Sequence, residues 1–214
     1  MNDRAAAFAA VEAAHAYFGD LDVVVNNAGY GHFGTVEELT EAEARAQMDT
    51  NLFGPLWVTQ AALPVLRGQG HGLIVQVSSV GGVVAYPGIG IYHASKWALE
   101  GLTEALAREV AGFGIRTMIL EPTAFATDWA GASAYRSAPM PEYQPIRDYA
   151  AAYFDGAAFP DPGATVAAVL KAVDSAEPPA RLALGGLDTV ISTYEDRIKT
   201  WREWEDVSRS VSDH

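Results

Sequence analysis

Apolar and polar positions form alternating blocks along this chain, and each block fits either a buried strand or one face of a helix. Short apolar runs rich in valine, isoleucine and leucine are typical of strands, and between them apolar residues recur every three or four positions. In chain order, the predicted elements are a helix at 3–18, a strand at 21–26, a helical stretch at 40–66, a strand at 72–78, a helix at 91–113, a strand at 115–120, a helix at 164–175, a strand at 181–184 and a helix at 187–208. This alternation predicts parallel strands that are joined by helices.

Two local signals refine the helical stretch at 40–66. Thr40 is a favourable N-cap residue, and Glu43 three positions later completes the pattern of a capping box. Pro55 predicts a kink or break, because proline lacks the N–H group that a helix interior uses. By contrast, residues 121–160 show no clear periodicity and are rich in Pro, Ala, Gly and Tyr. We expect residues 124–160 to form an irregular, substrate-covering segment.

The expected fold is a single α/β domain over residues 1–214. It should contain a doubly wound parallel sheet of about four strands, with helices on both faces. The predicted strand ends carry Asn26, Ser79 and the run 121–123. Ligands of such sheets bind beyond the carboxyl ends of the strands, so we expect a ligand site at this rim.

Composition narrows the function classes. The 214 residues are 50% hydrophobic and carry a formal net charge of −13 at pH 7, which argues against nucleic acid or anionic membranes as partners. The chain has no cysteine, and its histidines show no metal-ligand spacing, so we expect neither disulfides nor a metal site. No apolar run approaches the length of a membrane span, and the N-terminus lacks a signal-peptide layout. We therefore expect a cytoplasmic protein that acts on a small molecule.

The most informative chemical pattern joins a serine, a tyrosine and a lysine. Ser79 follows an apolar strand, and Tyr92, thirteen residues later, begins a Tyr-x-x-x-Lys pattern that ends at Lys96. On a helix this spacing puts both side chains on one face, where the ammonium group is expected to lower the pKa of the phenol. Tyr92 is then a candidate general acid or base, Ser79 a partner of the reacting oxygen, and Asn51 the anchor of a water that resupplies the proton. None of these groups carries electrons, so a redox reaction would need a cofactor.

Tyr-x-x-x-Lys alone occurs by chance in many chains, but here it belongs to an ordered set. Upstream lie Asn26-Asn27-Ala28-Gly29 at a strand end, Asn51 on a helix and Val77-Ser78-Ser79 at the next strand end. With this set, the chain resembles the short-chain dehydrogenase/reductase family over residues 3–130. The resemblance implies a Rossmann-type sheet and a catalytic tetrad of Asn51, Ser79, Tyr92 and Lys96.

The resemblance also implies NAD or NADP as the cofactor. The cofactor-binding residues that it implies are Asn26, Ala28, Gly29, Tyr92, Lys96, Pro122, Thr123 and Thr127. Lys96 is expected to bond the nicotinamide ribose, and the stretch from Pro122 to Thr127 matches a Pro-Gly-x-x-x-Thr motif that holds the carboxamide. Thr123 replaces the glycine of that motif, which puts the close backbone approach in doubt. Two plainer roles stay open, since Asn26 can tie neighbouring strands and Thr127 can cap the turn before Asp128.

A dinucleotide site of this family also needs a glycine-rich turn, Thr-Gly-x-x-x-Gly-x-Gly, between its first strand and helix. The first glycine here is Gly19, so we expect an N-terminally truncated sequence that lacks two βα units and a strand, about 60 residues. In the family's numbering, its sheet order would be 4-5-6-7. Residues 29–34 match Gly-x-Gly-x-x-Gly, but no helix is predicted to open at Gly34, so we do not interpret them as a phosphate loop. The residues that select NAD or NADP are expected in the missing part.

Three functions stay open at this point. The preferred one is an NAD(P)-dependent oxidoreductase that transfers a hydride between nicotinamide and a secondary alcohol or ketone, with Tyr92 as the general acid/base. The alternative is an inactive truncated remnant that acts only by association, since the strand at 23–25 would expose an edge. A hydrolase that uses Ser79 is the third, disfavoured because the chain has no Gly-x-Ser-x-Gly elbow.

Aromatic residues after the third predicted strand suggest an apolar wall of a substrate pocket. They are Phe125, Trp129, Tyr135, Tyr143, Tyr149, Tyr153, Phe154 and Phe159. In the family, the helices that would carry Asn51 and Tyr92 commonly form subunit interfaces. The resemblance therefore allows a homodimer or a homotetramer.

Overall fold

The computed structural model describes residues 2–131, 134–155 and 157–211. Its helices are α1 (Arg4–Phe18), α2 (Glu41–Met48), α3 (Gly54–Gln69), α4 (Gly90–Val110), α5 (Gln144–Phe154), α6 (Val166–Val173), α7 (Leu187–Glu203) and α8 (Glu205–Ser210). Its strands are β1 (Val23–Asn26), β2 (His32–Phe33), β3 (Gly72–Val77), β4 (Ile115–Pro122), β5 (Tyr135–Arg136) and β6 (Arg181–Leu184). No helix in these ranges is both long and apolar enough to cross a lipid bilayer.

The main sheet of the described residues has four parallel strands in the spatial order β1-β3-β4-β6. Val24 of β1 pairs with Ile74 of β3, and Val75 of β3 pairs with Met118 of β4. β6 joins the other side of β4. The predicted α/β class, with a parallel sheet and helices on both faces, is confirmed.

The central strand β3 is covered on both faces. Ile74 packs on one face with Leu66 of α3, in a cluster that also includes side chains of α4. Val75 points the other way and packs with Met118 and with Ala172 of α6. Burial on both faces explains why this strand is apolar almost without interruption.

The predicted break in the long helical stretch lies at a π-helical turn, Asp49–Phe53, between α2 and α3. The predicted capping box is present, because the Thr40 hydroxyl accepts from the Glu43 N–H at 3.3 Å and the Glu43 carboxylate accepts from the Thr40 N–H at 2.8 Å. Pro55 lies in the first turn of α3, where its missing N–H is not needed. The widened turn places Asn51 on the buried side, fully covered.

Two predictions about irregular and helical segments were wrong in part. Residues 121–160 contain α5 and also β5, which pairs with β2 in a separate two-stranded parallel sheet. Strands of two residues are too short to leave a period in the sequence, and β2 and β5 lie far apart along the chain. The single helix predicted at 187–208 is divided at Trp204 into α7 and α8.

Gly114, directly before β4, lies close to the backbone of Gly70, which precedes β3, and a substitution can test this close approach. Gly114 has a φ of 73°, and a Cβ atom built on it would lie 2.1 Å from the Gly70 carbonyl oxygen. We expect Gly114→Ala to lower the free energy of unfolding by about 3 kcal/mol, because left-handed backbone strain adds to a clash with backbone. Urea unfolding followed by circular dichroism measures this loss.

Gly112→Ala is the matched control, because no atom lies within 4 Å of a Cβ atom built there. We expect it to change the free energy of unfolding by less than about 1 kcal/mol. Equal stabilities of the two variants would contradict the close approach of Gly114 to Gly70.

Candidate active site

Residues predicted for the site meet at the carboxyl ends of β1, β3 and β4. Ser79 lies two residues beyond β3, at the start of a 3-10 turn. Its hydroxyl donates to the carbonyl oxygen of Pro122, the last residue of β4, at 3.3 Å and accepts from the Gly81 N–H at 2.9 Å. The serine is therefore held between the ends of two neighbouring strands.

Tyr92 lies in the first turn of α4, and Lys96 follows one turn later. Both side chains are buried, and the Tyr92 hydroxyl group is hydrogen-bonded to Ser79. Lys96 Nζ donates to the Val77 carbonyl at 2.8 Å and lies 5.9 Å from the centroid of the Tyr92 ring. The structure thus brings together the serine, the phenol and the ammonium group that the sequence pattern selected.

The pKa of Tyr92 moves in the opposite direction to the one expected from its spacing to Lys96. Burial raises the pKa of Tyr92 to about 12, although the hydrogen bond with Ser79 acts to lower it. Burial also lowers the pKa of Lys96 to about 8, against the opposing charge of Glu100. The expectation of a lowered phenol pKa is therefore corrected, because desolvation outweighs the hydrogen bond with Ser79.

Asn51 uses its side chain to hold two other parts of the site. Its Oδ1 accepts from the Tyr30 N–H at 3.1 Å, and its Nδ2 donates to the Tyr30 carbonyl at 3.0 Å and to Ser95 Oγ at 3.1 Å. The amide therefore joins the loop after β1 to α4. Both N–H bonds of the Asn51 amide are used within the protein. A water at this position can therefore bind Asn51 only by donating a hydrogen bond to its Oδ1.

The loop after β1 offers an open backbone next to buried polar groups. Ala28 and Gly29 are exposed, and a Cβ atom built on Gly29 would lie 3.2 Å from Asn51 Oδ1 and 3.3 Å from Lys96 Nζ. Among the described residues, Lys96 Nζ donates only to Val77, so two of its N–H bonds are available to a ligand. A flat polar group can therefore approach this backbone closely and bond to the lysine.

Thr123, which stands where the family has glycine, is accommodated by glycines on the neighbouring strand end. A Cβ atom built on Gly185 would lie 2.7 Å from Thr123 Cγ2, so the missing side chain there makes room for the threonine methyl group. Thr127 caps a short turn, accepting from the Trp129 N–H at 3.4 Å, which is the plainer role left open above.

Asn26 lies beneath the rim rather than on it. It is 2% exposed and donates to Thr59 Oγ1 of α3 at 3.3 Å, and Gln76 of β3 donates to the same oxygen at 3.1 Å. The geometry fits the alternative role of a tie between neighbouring elements. The role of Asn26 in cofactor binding stays a prediction, and residues 27–29, which follow it, are exposed.

An indole ring covers the phenol of Tyr92. The ring centroids of Trp129 and Tyr92 lie 5.0 Å apart in an edge-to-face arrangement, and Phe33 lies 5.4 Å from Trp129 on another side. A Cβ atom built on Gly31 would lie 2.5 Å from the indole, so the slot for Trp129 depends on glycine at that position. Trp129 therefore belongs to the predicted aromatic wall; the side chain of Phe154, also predicted there, lies outside the described part.

Carboxylates between β2 and α2 fasten the segment from β5 to α5 to the rest of the protein. Glu38 accepts from the Met140 N–H at 2.8 Å and from Arg147 at 2.5 Å, and its other oxygen accepts from the Thr35 N–H at 2.8 Å. These bonds, that of Met140 first, lower the pKa of Glu38 to about 2. The carboxylate stays ionised near neutral pH, so these hydrogen bonds hold the segment to the loop between β2 and α2.

Sequence analysis missed several residues that shape this site. Glu100 follows Lys96 by one helical turn and is buried, and Arg181 at the start of β6 contacts it. A carboxylate four positions after a site lysine was the signal that could have identified Glu100. Glu38 gave no such signal, because its partners Met140 and Arg147 are distant in sequence. Within the described ranges, no group of three or more histidine, aspartate or glutamate side chains is placed to hold a metal ion.

The model of the short chain dehydrogenase family matches residues 1–136 of this chain. Together with the parallel sheet and the Ser79, Tyr92 and Lys96 cluster, this match defines the class: the chain belongs to the short-chain dehydrogenase family of oxidoreductases. It is 41% identical over 179 residues to oxidoreductase BOA17 of Botryotinia fuckeliana. The aligned region covers 82% of this chain and 65% of that protein. The chain spans about half to two thirds of the length of the curated relatives that it matches first.

Solved structures show the same fold. A short-chain dehydrogenase from Streptomyces avermitilis superposes with a TM-score of 0.89 at 38% identity, over 98% of this chain and 79% of that one. A short-chain dehydrogenase/reductase from Burkholderia phymatum, solved with NAD, superposes with a TM-score of 0.76 at 26% identity, over 93% of this chain and 74% of that one.

Glu38→Gln tests whether the carboxylate fastens the covering segment. We expect amide hydrogens between residues 135 and 147 to exchange about tenfold faster in the variant, because an uncharged amide accepts weaker hydrogen bonds from Met140 and Arg147. Hydrogen exchange followed by mass spectrometry measures the rates. Glu41→Gln is the control, since Glu41 is exposed and pairs with Arg45 within α2. The same exchange rates in both variants would contradict this role of Glu38.

Proposed function

We propose that this protein is an NAD(P)-dependent oxidoreductase that moves a hydride between nicotinamide and a secondary alcohol or ketone. The observation that carries the proposal is the placement of the Tyr92 hydroxyl beside Ser79, with Lys96 at the exposed Ala28–Gly29 backbone. Membership of the short-chain dehydrogenase family supports the reaction class.

The residues present fit the nicotinamide half of a dinucleotide. Lys96 has two donors left for ribose hydroxyls, Gly29 leaves space beside it, and Pro122 and Thr123 form the neighbouring rim. When bound, the nicotinamide supplies or accepts the hydride. The relative from Burkholderia phymatum that was solved with NAD supports a cofactor of this kind.

Each remaining step falls to a side chain of the site. Tyr92 passes a proton to or from the reacting oxygen, Ser79 holds that oxygen by a hydrogen bond, and the Lys96 ammonium group stabilises negative charge that develops on the phenol. Asn51 holds the loop after β1 against α4, and its Oδ1, which accepts from the Tyr30 N–H, has a second lone pair for a relay water.

The protonation state of Tyr92 fits the role of proton donor in ketone reduction. Its pKa of about 12 keeps the phenol protonated at neutral pH, so it is ready to donate to a carbonyl oxygen. A pKa of about 8 leaves Lys96 mostly cationic at the same pH. The protein in this state is therefore set to protonate the alkoxide that forms when a ketone is reduced.

The substrate is a ketone with an apolar body. Trp129 and Phe33 border Tyr92 with aromatic faces and edges, and Trp129 leaves little width next to the phenol. Carboxylates near the site, such as Glu38, are already used in fastening the covering segment. Apolar surface is therefore what remains to recognise the part of the substrate away from the reacting carbon.

Association with another chain is the second candidate function. In the described sheet β1 is an edge strand, and Val23 and Val25 are 40% and 54% exposed. An apolar edge with unpaired backbone groups can pair with a strand of a partner. This candidate requires no binding of a dinucleotide.

Binding of NADH and NADPH to the 214-residue chain separates the two candidates. We expect binding in the micromolar range by calorimetry, with the Burkholderia phymatum relative as the positive control. Lys96→Met should weaken binding at least tenfold, because it removes charge-assisted hydrogen bonds, whereas Lys171→Met on α6 should leave it unchanged. A folded chain that binds neither cofactor would reject the oxidoreductase proposal for this chain and leave the association candidate.

Tyr92→Phe tests the acid/base role directly. We expect the rate of ketone reduction to fall by about 10²–10⁴-fold, since the phenol proton is lost while the ring keeps its packing against Trp129. NADH oxidation followed at 340 nm measures the rate. Tyr17→Phe on α1, where the side chain is 82% exposed, is the matched control. An unchanged rate in Tyr92→Phe would refute the proposed role of this residue.

A further inference from the structure

Glu100 is a buried carboxylate that the mechanism above does not use. It lies on α4 one turn after Lys96, and its side chain is 5% exposed. Lys96 donates its hydrogen bond to the Val77 carbonyl and not to Glu100. The charges of Lys96 and Glu100 therefore interact through space across one helical turn. A buried ionisable group is costly unless it is paired and hydrogen-bonded, so its partners need an explanation.

The contacts of Glu100 link it to the strand end that carries Ser79. Its Oε1 accepts a hydrogen bond from Ser78 Oγ at 2.7 Å. Ser78 lies in the chain between Val77, whose carbonyl accepts from Lys96, and Ser79. A Cβ atom built on Gly82 would lie 2.0 Å from Oε1, so the turn after Ser79 folds tightly over the carboxylate. Lys96 and Glu100 therefore form hydrogen bonds with two consecutive residues, Val77 and Ser78, at the end of β3.

Arg181 completes a charged cluster behind the site. Its guanidinium contacts Glu100 of α4, Glu121 of β4 at 2.7 Å, and Glu104, which is about half exposed. The buried carboxylates of Glu100 and Glu121 outnumber this one guanidinium group. Burial raises the pKa of Glu100, and the hydrogen bonds with Ser78 and Arg181 act against that rise and favour the charged carboxylate.

We propose that Glu100 is a positioning residue for the Tyr92/Lys96 pair, supplying the buried negative charge that keeps Lys96 an ammonium ion while it anchors the end of β3 through Ser78. The place of Glu100 one turn after Lys96, with its carboxylate held by Ser78 and Arg181, carries this inference, since burial by itself lowers the pKa of Lys96. Glu100 is the charged group that acts on Lys96, Tyr92 lies one turn before Lys96 on α4, and Arg181, Glu104 and Glu121 belong to the cluster behind Glu100. The consequence for catalysis rests on the proposed function, whereas the charge of Lys96 does not.

The lysine content of the chain allows a direct measurement. Its lysines are Lys96, Lys171 and Lys199, so a protein labelled with 13C at lysine Cε gives few signals, which Lys171→Arg and Lys199→Arg assign. We expect Glu100→Gln, which keeps an oxygen acceptor for Ser78, to lower the titration midpoint of Lys96 by about one pH unit. Glu104→Gln is the matched control, because Glu104 also binds Arg181 but is exposed and has no contact with Ser78, and it should leave the midpoint unchanged.

Thermal unfolding shows whether Glu100→Gln folds, and the wild-type protein provides a readout if it does not. The Lys96 signal should then show a second, smaller step on the acid side, as Glu100 takes up a proton, and Glu104→Gln should keep that step. An unshifted Lys96 midpoint in a folded Glu100→Gln variant, or no acid step in the wild type, would overturn the proposal. Failure of NADH to bind would instead refute the proposed function and leave the lysine titration intact.

Discussion

The end of β3 is the constraint on which the site depends, because three consecutive residues there are held by hydrogen bonds with α4, with the turn after β3 and with the end of β4. The Val77 carbonyl accepts from Lys96, Ser78 donates to Glu100, and Ser79 bridges Gly81 and the end of β4. β3 is paired on both sides and covered on both faces, so its end cannot move without disturbing the centre of the sheet. The Ser79 hydroxyl group thus takes its position from a strand that is paired and buried on both sides.

Burial and charge act against each other in this site. Trp129 and the helices around it remove water from Tyr92 and Lys96, which favours the neutral form of each. In the proposed reaction the neutral phenol is the proton donor, so its burial is useful. For the lysine, the neutral form would lose the cation, so the negative charge of Glu100 has to oppose desolvation.

Most of the architecture could be predicted because it depends on local signals. The strand at 181–184 matches β6, the capping box at Thr40 is present, and Pro55 lies beside the break between α2 and α3. Buried strands and amphipathic helices have periods that are visible within a dozen residues. The β2–β5 pair has no such period, and the helix α5 was hidden in a segment whose composition is typical of a loop.

The sequence by itself determined the order of the elements and the spacing of Ser79, Tyr92 and Lys96, since both follow from the positions of residues along one strand or one helix. It could not determine the pKa of Tyr92, the partners of Glu100 or the place of Trp129 over Gly31. Those properties depend on how much water is excluded and on which distant charges come into contact. Both are decided only when β4, β6 and the segment after β4 pack around α4, because desolvation and charge pairing act through space and not along the chain.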